Sequence, residues 1–404
     1  MRLLIVSYFY EAPAGGGVIV ARLLAEHLRE RGHSVDVLCL DGCTETQPGT
    51  VLRMPAPPGF RPHLDRLRQV LLFLNNRGFD RHFLGKAISL TRQSSPYDFI
   101  LSQDFLGLRV AASLAAQGGI PCGTTLHDTL PQQVEVGVMN PVLKRILQTL
   151  SRLRDRSLAD DLRGLDWLAA VSRHVASSAR TWLGVDHPPI HVVHNPVPDG
   201  FRKVTPPSPS DAPRHLFVGR LSPEKGVDLL VEAFRRLPAD HRLTVLGLRG
   251  SLQQQILELA ATDPRIQIQP PCSHLDMPEV YARHQIVCCP VMWDEPFGLT
   301  VLEGRASQRV VVGTRRGGLP EILEGYPRAV LFDADPANRS ITVDRLTQAL
   351  LAAPALLRQP LDPISERRFL GTMEIESVVD RYEELIRNAI EMGSRTLSKG
   401  GNPI

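Results

Sequence analysis

The chain of 404 residues has few cysteines, little net charge and no long apolar run, and each shortage excludes a class of protein. Its six cysteines include no Cys-x-x-Cys pair, so the sequence predicts neither a disulfide framework nor a zinc site, and it favours a reducing cytoplasm. The formal net charge of +3 is too small for nucleic acid to be the main partner. The apolar residues after Met1 are too few for a signal peptide or a membrane span.

The composition that remains is ordinary for a globular protein. Apolar residues make up 43% of the chain and charged residues 22%, which is enough to bury sizeable cores. The length favours two or three domains over one.

Short apolar runs alternate with longer helical patterns along the whole chain. In the first half the runs are residues 3–6, 35–40, 99–101, 122–126, 167–171 and 190–193, and in the second half 216–218, 243–246, 266–268, 286–289, 310–312 and 329–332. The runs are unbroken rather than alternating, which is typical of parallel strands buried on both faces by helices. The sequence therefore predicts an α/β protein with two Rossmann-like, doubly wound domains.

Composition also indicates where the domains meet. Residues 203–214 read KVTPPSPSDAPR, a Pro- and Ser-rich stretch that cannot continue a helix or a central strand. Residues 375–392 form an amphipathic helical pattern, with an apolar stripe at Val378, Val379, Tyr382, Leu385 and Ile386. We predict a first domain at 1–196, a second at 197–374, a C-terminal helix at 375–393 and a flexible tail at 394–404.

Two cations follow the first apolar run of the second half. Residues 216–234 read LFVGRLSPEKGVDLLVEAF, so Arg220 and Lys225 lie between the end of a strand and a helix that begins near Val227. Ligands bind at this edge of open α/β sheets, and an Arg fork beside a Lys suits a diphosphate. The alternative is that Arg220 and Lys225 are two solvated loop cations without a ligand. For an Arg-x4-Lys pair considered in isolation, this alternative is the favoured interpretation.

Two carboxylates occur in a second strand-to-helix segment, PVMWDEPFGLTVLEG from Pro290. Glu295 lies in the loop, a helix opens near Phe297 and Gly298, and seven residues separate Glu295 from Glu303. Backbone N–H groups at the helix start can receive phosphate oxygens, and Glu303 can accept hydrogen bonds from ribose hydroxyls. For either Glu alone, a helix-dipole or solvated-face role is the favoured interpretation.

A third segment, GTRRGGLPEIL from Gly313, again joins a strand to a helix. Gly317 and Gly318 allow close backbone approach, and Pro320 suits the first helical turn. On its own the segment is equally well explained as an ordinary strand-to-helix turn.

Taken in this order, the three segments resemble the nucleotide-binding domain of the retaining GT-B glycosyltransferases, in particular the large family 4. The resemblance implies two domains facing across a cleft, with Arg220 and Lys225 on the donor diphosphate. It also implies Glu303 on the ribose, Glu295 on the transferred sugar, and the backbone of Phe297, Gly298 and Leu299 on phosphate or sugar. The sequence departs from the family at Gly304-Arg305, where small residues are usual, and at Gln308, where Gly is usual.

The first half is similar to the same family through two features. Gly15-Gly16-Gly17 follows the first strand and precedes a helix at 18–31, and the family uses this loop to face donor and acceptor. His127 ends the strand at 122–126, where the family often has a His near the transferred sugar. A glycine-rich turn alone is a weak signal, and His127 alone is slightly better explained as a structural histidine. Ser172, at another position that fits the family, has the alternative of a helix N-cap.

The resemblance implies transfer of a sugar from a UDP- or GDP-linked donor to an acceptor hydroxyl with retention of configuration. The catalytic candidates are His127, Arg220, Lys225 and Glu295, and the donor-binding candidates add Gly16, Gly17, Phe297, Gly298, Leu299 and Glu303. The acceptor is a glycan, a lipid-linked or a small molecule, in polysaccharide, lipopolysaccharide or glycolipid synthesis. A nucleotide-sugar epimerase and a catalytically silent nucleotide-sugar-binding protein remain alternatives.

No cofactor and no essential metal are expected. Asp333 and Asp335 have a D-x-D spacing but lie after the phosphate motifs in a Pro-flanked turn, which favours a surface loop. Basic segments at 61–92 and 141–163 fit an anionic membrane surface, which predicts a cytoplasmic protein with peripheral contact to the inner membrane face. A helix packed on the first domain with a solvated basic face is the favoured alternative.

Overall fold

The computed structural model describes residues 1–7, 10, 16–40, 51–54, 84–85, 87–89, 91, 96–130, 158–184, 188–208, 212–247 and 250–399. Contacts between Cα atoms divide the chain into two compact units. The first comprises Met1–His194 and Ile375–Ile404, and the second comprises Asn195–Glu374.

The first unit contains a parallel sheet. Its strands are β1 (Arg2–Val6), β2 (Ser34–Leu40), β3 (Val51–Met54), β4 (Phe99–Ser102), β5 (Cys122–Leu126), β6 (Trp167–Ala170) and β7 (Ile190–Val192). Their order across the described sheet is β3-β2-β1-β4-β5-β6-β7, and every pairing is parallel. The sequence analysis predicted all of these strands except β3, which has no matching apolar run.

Among the helices that the structure describes between these strands are α1 (Gly16–Glu30), α2 (Phe105–Gly118) and α3 (Arg173–Leu183). The α3 helix begins after Ser172, whose side chain accepts a hydrogen bond from the backbone N–H of Val175, so the N-cap interpretation of Ser172 is confirmed. It ends at Gly184 in the left-handed conformation, the usual C-terminal signal.

The second unit contains another parallel sheet. Its strands are β8 (Arg214–Val218), β9 (Arg242–Leu246), β10 (Ile266–Gln269), β11 (Ile286–Cys289), β12 (Val310–Thr314) and β13 (Ala329–Phe332). Their order is β10-β9-β8-β11-β12-β13, again with parallel pairing. All residues of β11 and β12 are buried, as expected for strands covered on both faces.

Most helices of the second unit follow one of its strands, except the first, which precedes β8, and the last, which follows another helix. They are α4 (Asp199–Arg202), α5 (Val227–Phe234), α6 (Gln253–Ala261), α7 (Met277–Ala282), α8 (Leu299–Ala306), α9 (Leu319–Ile322), α10 (Arg339–Ala352) and α11 (Pro363–Gly371). Short 3₁₀ helices occur at Pro223–Lys225 and Ala353–Arg358. The predicted fold of two doubly wound α/β domains is confirmed.

The last helix, α12 (Ile375–Lys399), belongs to the first unit. Its predicted apolar stripe is buried in one cluster with Leu3 and Ile5 of β1, which confirms the amphipathic pattern. Arg31 at the end of α1 adds ion pairs of 2.5 Å to Glu376 and Asp380. The predicted end of the helix at residue 393 is wrong, because the helix continues to Lys399.

Both departures from the family pattern near α8 have a structural account. Gln308 has a φ of 62°, the one positive value at a non-glycine position among the described residues. The N–H of Gln308 donates to Arg305 and that of Arg309 to Gly304, at 2.8 and 2.9 Å, which is a Schellman end that normally takes Gly. The buried Arg305 forms two hydrogen bonds with Glu366, at 3.0 and 2.7 Å, and so ties α8 to α11.

Candidate active site

The strand order of the second sheet reverses between β8 and β11. From β8 the chain continues to β9 and β10 on one side, whereas β11 is followed by β12 and β13 on the other. Ligands of open α/β sheets bind at the carboxyl ends of the strands beside such a reversal. The two segments that follow β8 and β11 are those that carry Arg220, Lys225 and Glu295.

The loops after β8 and β11 touch through Gly226. This residue has a φ of 67°, and a Cβ atom there would lie 1.9 Å from the carbonyl oxygen of Pro290. The backbone N–H of Met292 also donates to the carbonyl oxygen of Glu224 at 2.8 Å. Only Gly fits both the dihedral angle and the space at position 226, so the turn that carries Lys225 can approach the loop that carries Glu295 closely. The hydrogen bond between Met292 and Glu224 then holds the two segments together.

Lys225 and Glu295 form an ion pair at this reversal. The Nζ of Lys225 donates to Oε2 of Glu295 at 2.6 Å, and their side chains are only 20% and 15% exposed. The indole N–H of Trp293 donates to the same oxygen at 2.7 Å. The structure therefore brings two of the predicted site residues together, and it adds Trp293, which the sequence analysis did not single out.

Arg220 lies apart from this pair. Its guanidinium is 3.4 Å from Oε1 of Glu224, and its side chain is 66% exposed. Glu224 is itself largely buried and accepts a hydrogen bond of 2.5 Å from Ser222. Arg220 thus stands at the edge of the predicted diphosphate site with most of its side chain in solvent.

The third predicted segment supports the Glu295 loop. The N–H of Gly318 donates to the carbonyl oxygen of Glu295 at 2.7 Å, and a Cβ on Gly317, whose φ is 57°, would lie 2.1 Å from that oxygen. Thr314 and Arg316 donate to the carbonyls of Val291 and Met292 at 2.7 and 3.0 Å. The close backbone approach expected of the two glycines is present, and its partner is the loop before α8.

Glu303 is buried, so the alternative of a solvated helix face is wrong. It is the fifth residue of α8, after the N-cap Gly298, and its relative exposure is 5%. Tyr281 of α7 donates to Oε2 at 2.7 Å, and His274 lies 3.0 Å from Oε1. Burial, with the adjacent Glu303 carboxylate, raises the pKa of Tyr281 well above its usual value, which keeps its hydroxyl a donor.

Neither His274 nor Tyr281 was identified from the sequence. Both precede β11, and no motif spacing connects them with Glu303. Phe297 is buried directly before Gly298, which has a φ of 93° and is the N-cap of α8. The predicted backbone donors at this helix start therefore follow the Glu295 loop, with Leu299 as the first helical residue.

The first sheet has its own reversal, between β1 and β4. Gly16 and Gly17 begin α1 after β1, whereas Gly15 lies outside the described residues. A Cβ on Gly17 would lie 3.4 Å from the imidazole of His127, which directly follows β5. The structure therefore places two predicted residues of the first domain against each other.

A chain of neutral hydrogen bonds leads from His127 into the core. Its Nε2 is 3.1 Å from Oε1 of Gln103, and the amide of Gln103 donates to Thr125 Oγ1 at 3.0 Å. The Thr125 hydroxyl lies 2.8 Å from that of Tyr382 on α12. Desolvation by burial lowers the pKa of His127 to about 4, so its ring is neutral near pH 7.

The weaker sequence signals lie elsewhere. Asp335 accepts hydrogen bonds from the backbone N–H groups of Ala337 and Asn338, at 2.9 and 3.1 Å, and so stabilises a turn. Within the described ranges, no group of three or more His, Cys, Asp or Glu side chains is arranged to hold a metal ion. The same part of the chain has no helix long and apolar enough to cross a membrane. Segments 61–92 and 141–163 lie mostly outside the described residues.

Two family descriptions match consecutive parts of the chain. Residues 14–201 match Glycosyltransferase Family 4, and residues 202–354 match Glycosyl transferases group 1. Together they cover every predicted site residue and both sheets except β1, which precedes residue 14. The chain therefore belongs to the family 4, group 1 glycosyltransferases of the GT-B fold, and it is an enzyme of this class.

Several similar proteins are named D-inositol 3-phosphate glycosyltransferase. The D-inositol 3-phosphate glycosyltransferase of Xylanimonas cellulosilytica is 32% identical over 194 residues, which are 42% of this chain and 46% of that protein. The D-inositol 3-phosphate glycosyltransferase 1 of Catenulispora acidiphila is 27% identical over 413 residues, which are 94% of this chain and 92% of that protein. The first match thus spans less than half of its relative.

Solved structures share the fold over nearly the full length. A sucrose-phosphate synthase from Thermosynechococcus elongatus has a TM-score of 0.75 at 20% identity, covering 97% of this chain and 99% of that one. Anabaena HepE in complex with UDP and glucose has a TM-score of 0.69 at 17% identity, covering 96% and 99%. At these identities the likeness shows the fold alone.

Proposed function

We propose that the enzyme transfers a sugar from a UDP- or GDP-linked donor to an acceptor hydroxyl with retention of anomeric configuration. The acceptor belongs to polysaccharide, lipopolysaccharide or glycolipid synthesis. The observation that carries the proposal is the adjacent Lys225 and Glu295 beside the strand-order reversal of the second sheet. A cation for phosphate and a carboxylate for sugar hydroxyls lie there within one hydrogen bond of each other.

The charge on the leaving group accounts for the roles that we assign to Lys225 and to the start of α8. As the glycosidic bond breaks, negative charge develops on the nucleoside diphosphate and positive charge on the sugar carbon, as in glycoside hydrolysis. Lys225 and the backbone N–H groups that begin α8 stabilise the diphosphate charge, and the exposed Arg220 can turn toward it. We expect a front-face reaction in which the leaving phosphate helps to take the acceptor proton.

The nucleotide half of the donor fits the Glu303 cluster. A buried carboxylate held by Tyr281 and His274 keeps a fixed orientation, and its remaining lone pairs can accept ribose hydroxyls. The bound UDP in the HepE structure supports a uridine nucleotide as one of the candidate donors.

His127 suits recognition of a sugar hydroxyl better than proton transfer from a charged ring. Because its pKa is lowered to about 4, the neutral imidazole offers one donor and one acceptor nitrogen near pH 7. Gln103 occupies one of these nitrogens, which leaves the other for a hydroxyl next to Gly17.

The proposal is tested by incubating the enzyme with UDP- and GDP-sugars, with and without candidate acceptors. We expect an α- or β-linked product with the same anomeric configuration as the donor, determined by NMR, and undiminished activity in EDTA. An altered sugar nucleotide without acceptor would indicate an epimerase. An inverted product would contradict the retaining mechanism, and loss of activity in EDTA with rescue by Mn²⁺ or Mg²⁺ would return Asp333 and Asp335 as metal ligands.

A further inference from the structure

The side chain of Trp293 contacts both charged residues of the proposed site. Its indole N–H donates to Oε2 of Glu295 at 2.7 Å, and its ring centroid lies 5.1 Å from the Nζ of Lys225. Lys225 itself donates to the same Glu295 oxygen at 2.6 Å. Trp293 therefore binds the Glu295 carboxylate through its indole N–H and faces the Lys225 ammonium with its ring. A positive charge over the face of an aromatic ring is stabilised by a cation–π interaction.

This arrangement makes Glu295 and a phosphate competitors for Lys225. A Lys ammonium has three donors, but its charge is largely compensated by a carboxylate at 2.6 Å. A diphosphate carries more negative charge than one carboxylate, so it can replace Glu295 as the ion-pair partner. When that happens, Oε2 of Glu295 loses its cation and keeps the indole N–H as a donor.

We infer that Glu295 serves as an internal substitute ligand for Lys225, and that Trp293 is a positioning residue that holds Glu295 in place once the donor diphosphate has taken Lys225. The released carboxylate oxygen then accepts a hydroxyl of the transferred sugar. The inference rests on the proposed function, and it adds a residue and an order of events that the family resemblance did not supply.

The backbone around the three residues favours an exchange by side-chain movement alone. The Glu295 loop is fixed on one side by the hydrogen bond from Met292 to Glu224, and on the other by that from Gly318 to Glu295. Arg316 adds a hydrogen bond of 3.0 Å to the carbonyl of Met292. Because the loop is held at both ends, Lys225 can move to a phosphate while Trp293 and Glu295 keep their geometry.

Binding of the diphosphate alone tests the substitution step. Calorimetry with pyrophosphate, UDP and GDP would compare the full-length wild type with Glu295→Gln and Lys225→Ala. Removing the competing carboxylate should tighten binding in Glu295→Gln by about fivefold, the equivalent of a partly exposed ion pair. Lys225→Ala should weaken it by tenfold or more.

The two results separate the inference from the function on which it rests. If Lys225→Ala weakens binding but Glu295→Gln does not tighten it, Glu295 is not a substitute ligand, and the diphosphate site stands. If Lys225→Ala leaves the binding of all three probes unchanged, Lys225 is not a diphosphate ligand, and the proposed function fails at its central residue.

Turnover tests the positioning role. Trp293→Phe removes the N–H and keeps the ring, so it should lower kcat about tenfold, since a hydrogen bond to a charged group is lost, while KM for the donor stays within twofold. Trp293→Leu removes both contacts and should also weaken diphosphate binding by about threefold. Trp182→Phe, at a partly exposed tryptophan of the first unit, is the matched control and should change neither value.

A readout without turnover guards against a folding defect. The protein has three tryptophans, so ¹⁵N-labelled indole groups give three signals, and Trp293→Phe identifies one of them. In the wild type this signal should remain that of a hydrogen-bonded N–H when pyrophosphate is added. Loss of the hydrogen bond on addition of pyrophosphate, or wild-type kcat in Trp293→Phe, would overturn the positioning role.

Discussion

The two units have the same architecture, but the groups at their strand-order reversals differ. In the second unit the reversal carries charges, with Lys225 bonded to Glu295 and the exposed Arg220 beside Glu224. In the first unit the corresponding region carries two glycines, a neutral His127 and the amide of Gln103. A shared fold thus provides one edge suited to a diphosphate and another suited to hydroxyl groups.

The contrast extends to how each group is held. The charged pair lies on loops that are bound to neighbouring loops through backbone hydrogen bonds. His127 is instead positioned through side chains, by a chain that ends at Tyr382 of α12. Substitution at the charged edge should therefore change binding of the leaving group, and substitution at the neutral edge should change transfer.

The largest effect is expected at the charged edge. Lys225→Ala should lower kcat/KM at least about a hundredfold, roughly 2.7 kcal/mol, because the diphosphate charge loses its cation. Thermal unfolding should change little, since Lys225 ends a short 3₁₀ helix that contains no buried residue. Steady-state kinetics would measure the loss of kcat/KM in Lys225→Ala. Lys203→Ala, a substitution of an exposed lysine outside the site, is the control. If kcat/KM of Lys225→Ala stayed within a few-fold of the wild type, the charged edge would not be the diphosphate site.

The second unit also contains a buried histidine, His215, whose pKa is lowered. In the second unit, burial and the neighbouring His241 and His284 lower the pKa of His215 to about 3, whereas an unfolded His titrates near 6.5. Between these values the unfolded state binds more protons, so the free energy of unfolding should fall as the pH is lowered through this window. The slope from His215 alone is about 1.4 kcal/mol per pH unit, hence about 2 kcal/mol between pH 6.5 and 5.

Denaturant unfolding of His215→Gln at several pH values measures this contribution. Gln keeps a polar partner for His241, which lies 2.9 Å from the His215 ring, but it does not titrate. The variant should show a shallower dependence on pH than the wild type, and equal slopes would contradict the assignment.

At the neutral edge, His127→Asn should lower kcat about tenfold, because one hydrogen bond to the reacting sugar is lost and a polar side chain remains. The affinity for free UDP or GDP should stay within twofold, since we propose that the second unit binds that part of the donor. Calorimetry and kinetics on one preparation would test both statements. Weakened nucleoside diphosphate binding would show that the neutral edge also holds the leaving group.

The smallest effect is expected at the end of α8. Gln308→Gly should raise the free energy of unfolding by about 1 kcal/mol, since it relieves a left-handed conformation that side chains disfavour. Gln308→Ala retains a Cβ and serves as the control, with little change expected. Equal stability of the Gly variant and the wild type would indicate that the Gln308 side chain offsets the strain.

The sequence predicted most strands because unbroken apolar runs are a direct consequence of burial on both faces. It did not predict β3, where Arg53 interrupts a run of only four residues, and it ended α12 too early, because the sequence of its last turns has few apolar residues. The positions of Lys225 and Glu295 after two apolar runs predicted a site, and in the structure the strands formed by these runs pair side by side. Trp293, His274 and Tyr281 were missed because their contacts depend on how loops fold back, which no periodicity encodes.

The position of α12 has a consequence for the order in which the protein is made. The second unit is continuous in sequence, so its core can form as soon as Glu374 has left the ribosome. The core of the first unit includes Val378, Tyr382 and Ile386, which are translated after the whole second unit. The residues of β1 and α1 in this cluster therefore gain their contacts with α12 only after the second unit has been made, and chaperone binding during synthesis should concentrate on that half.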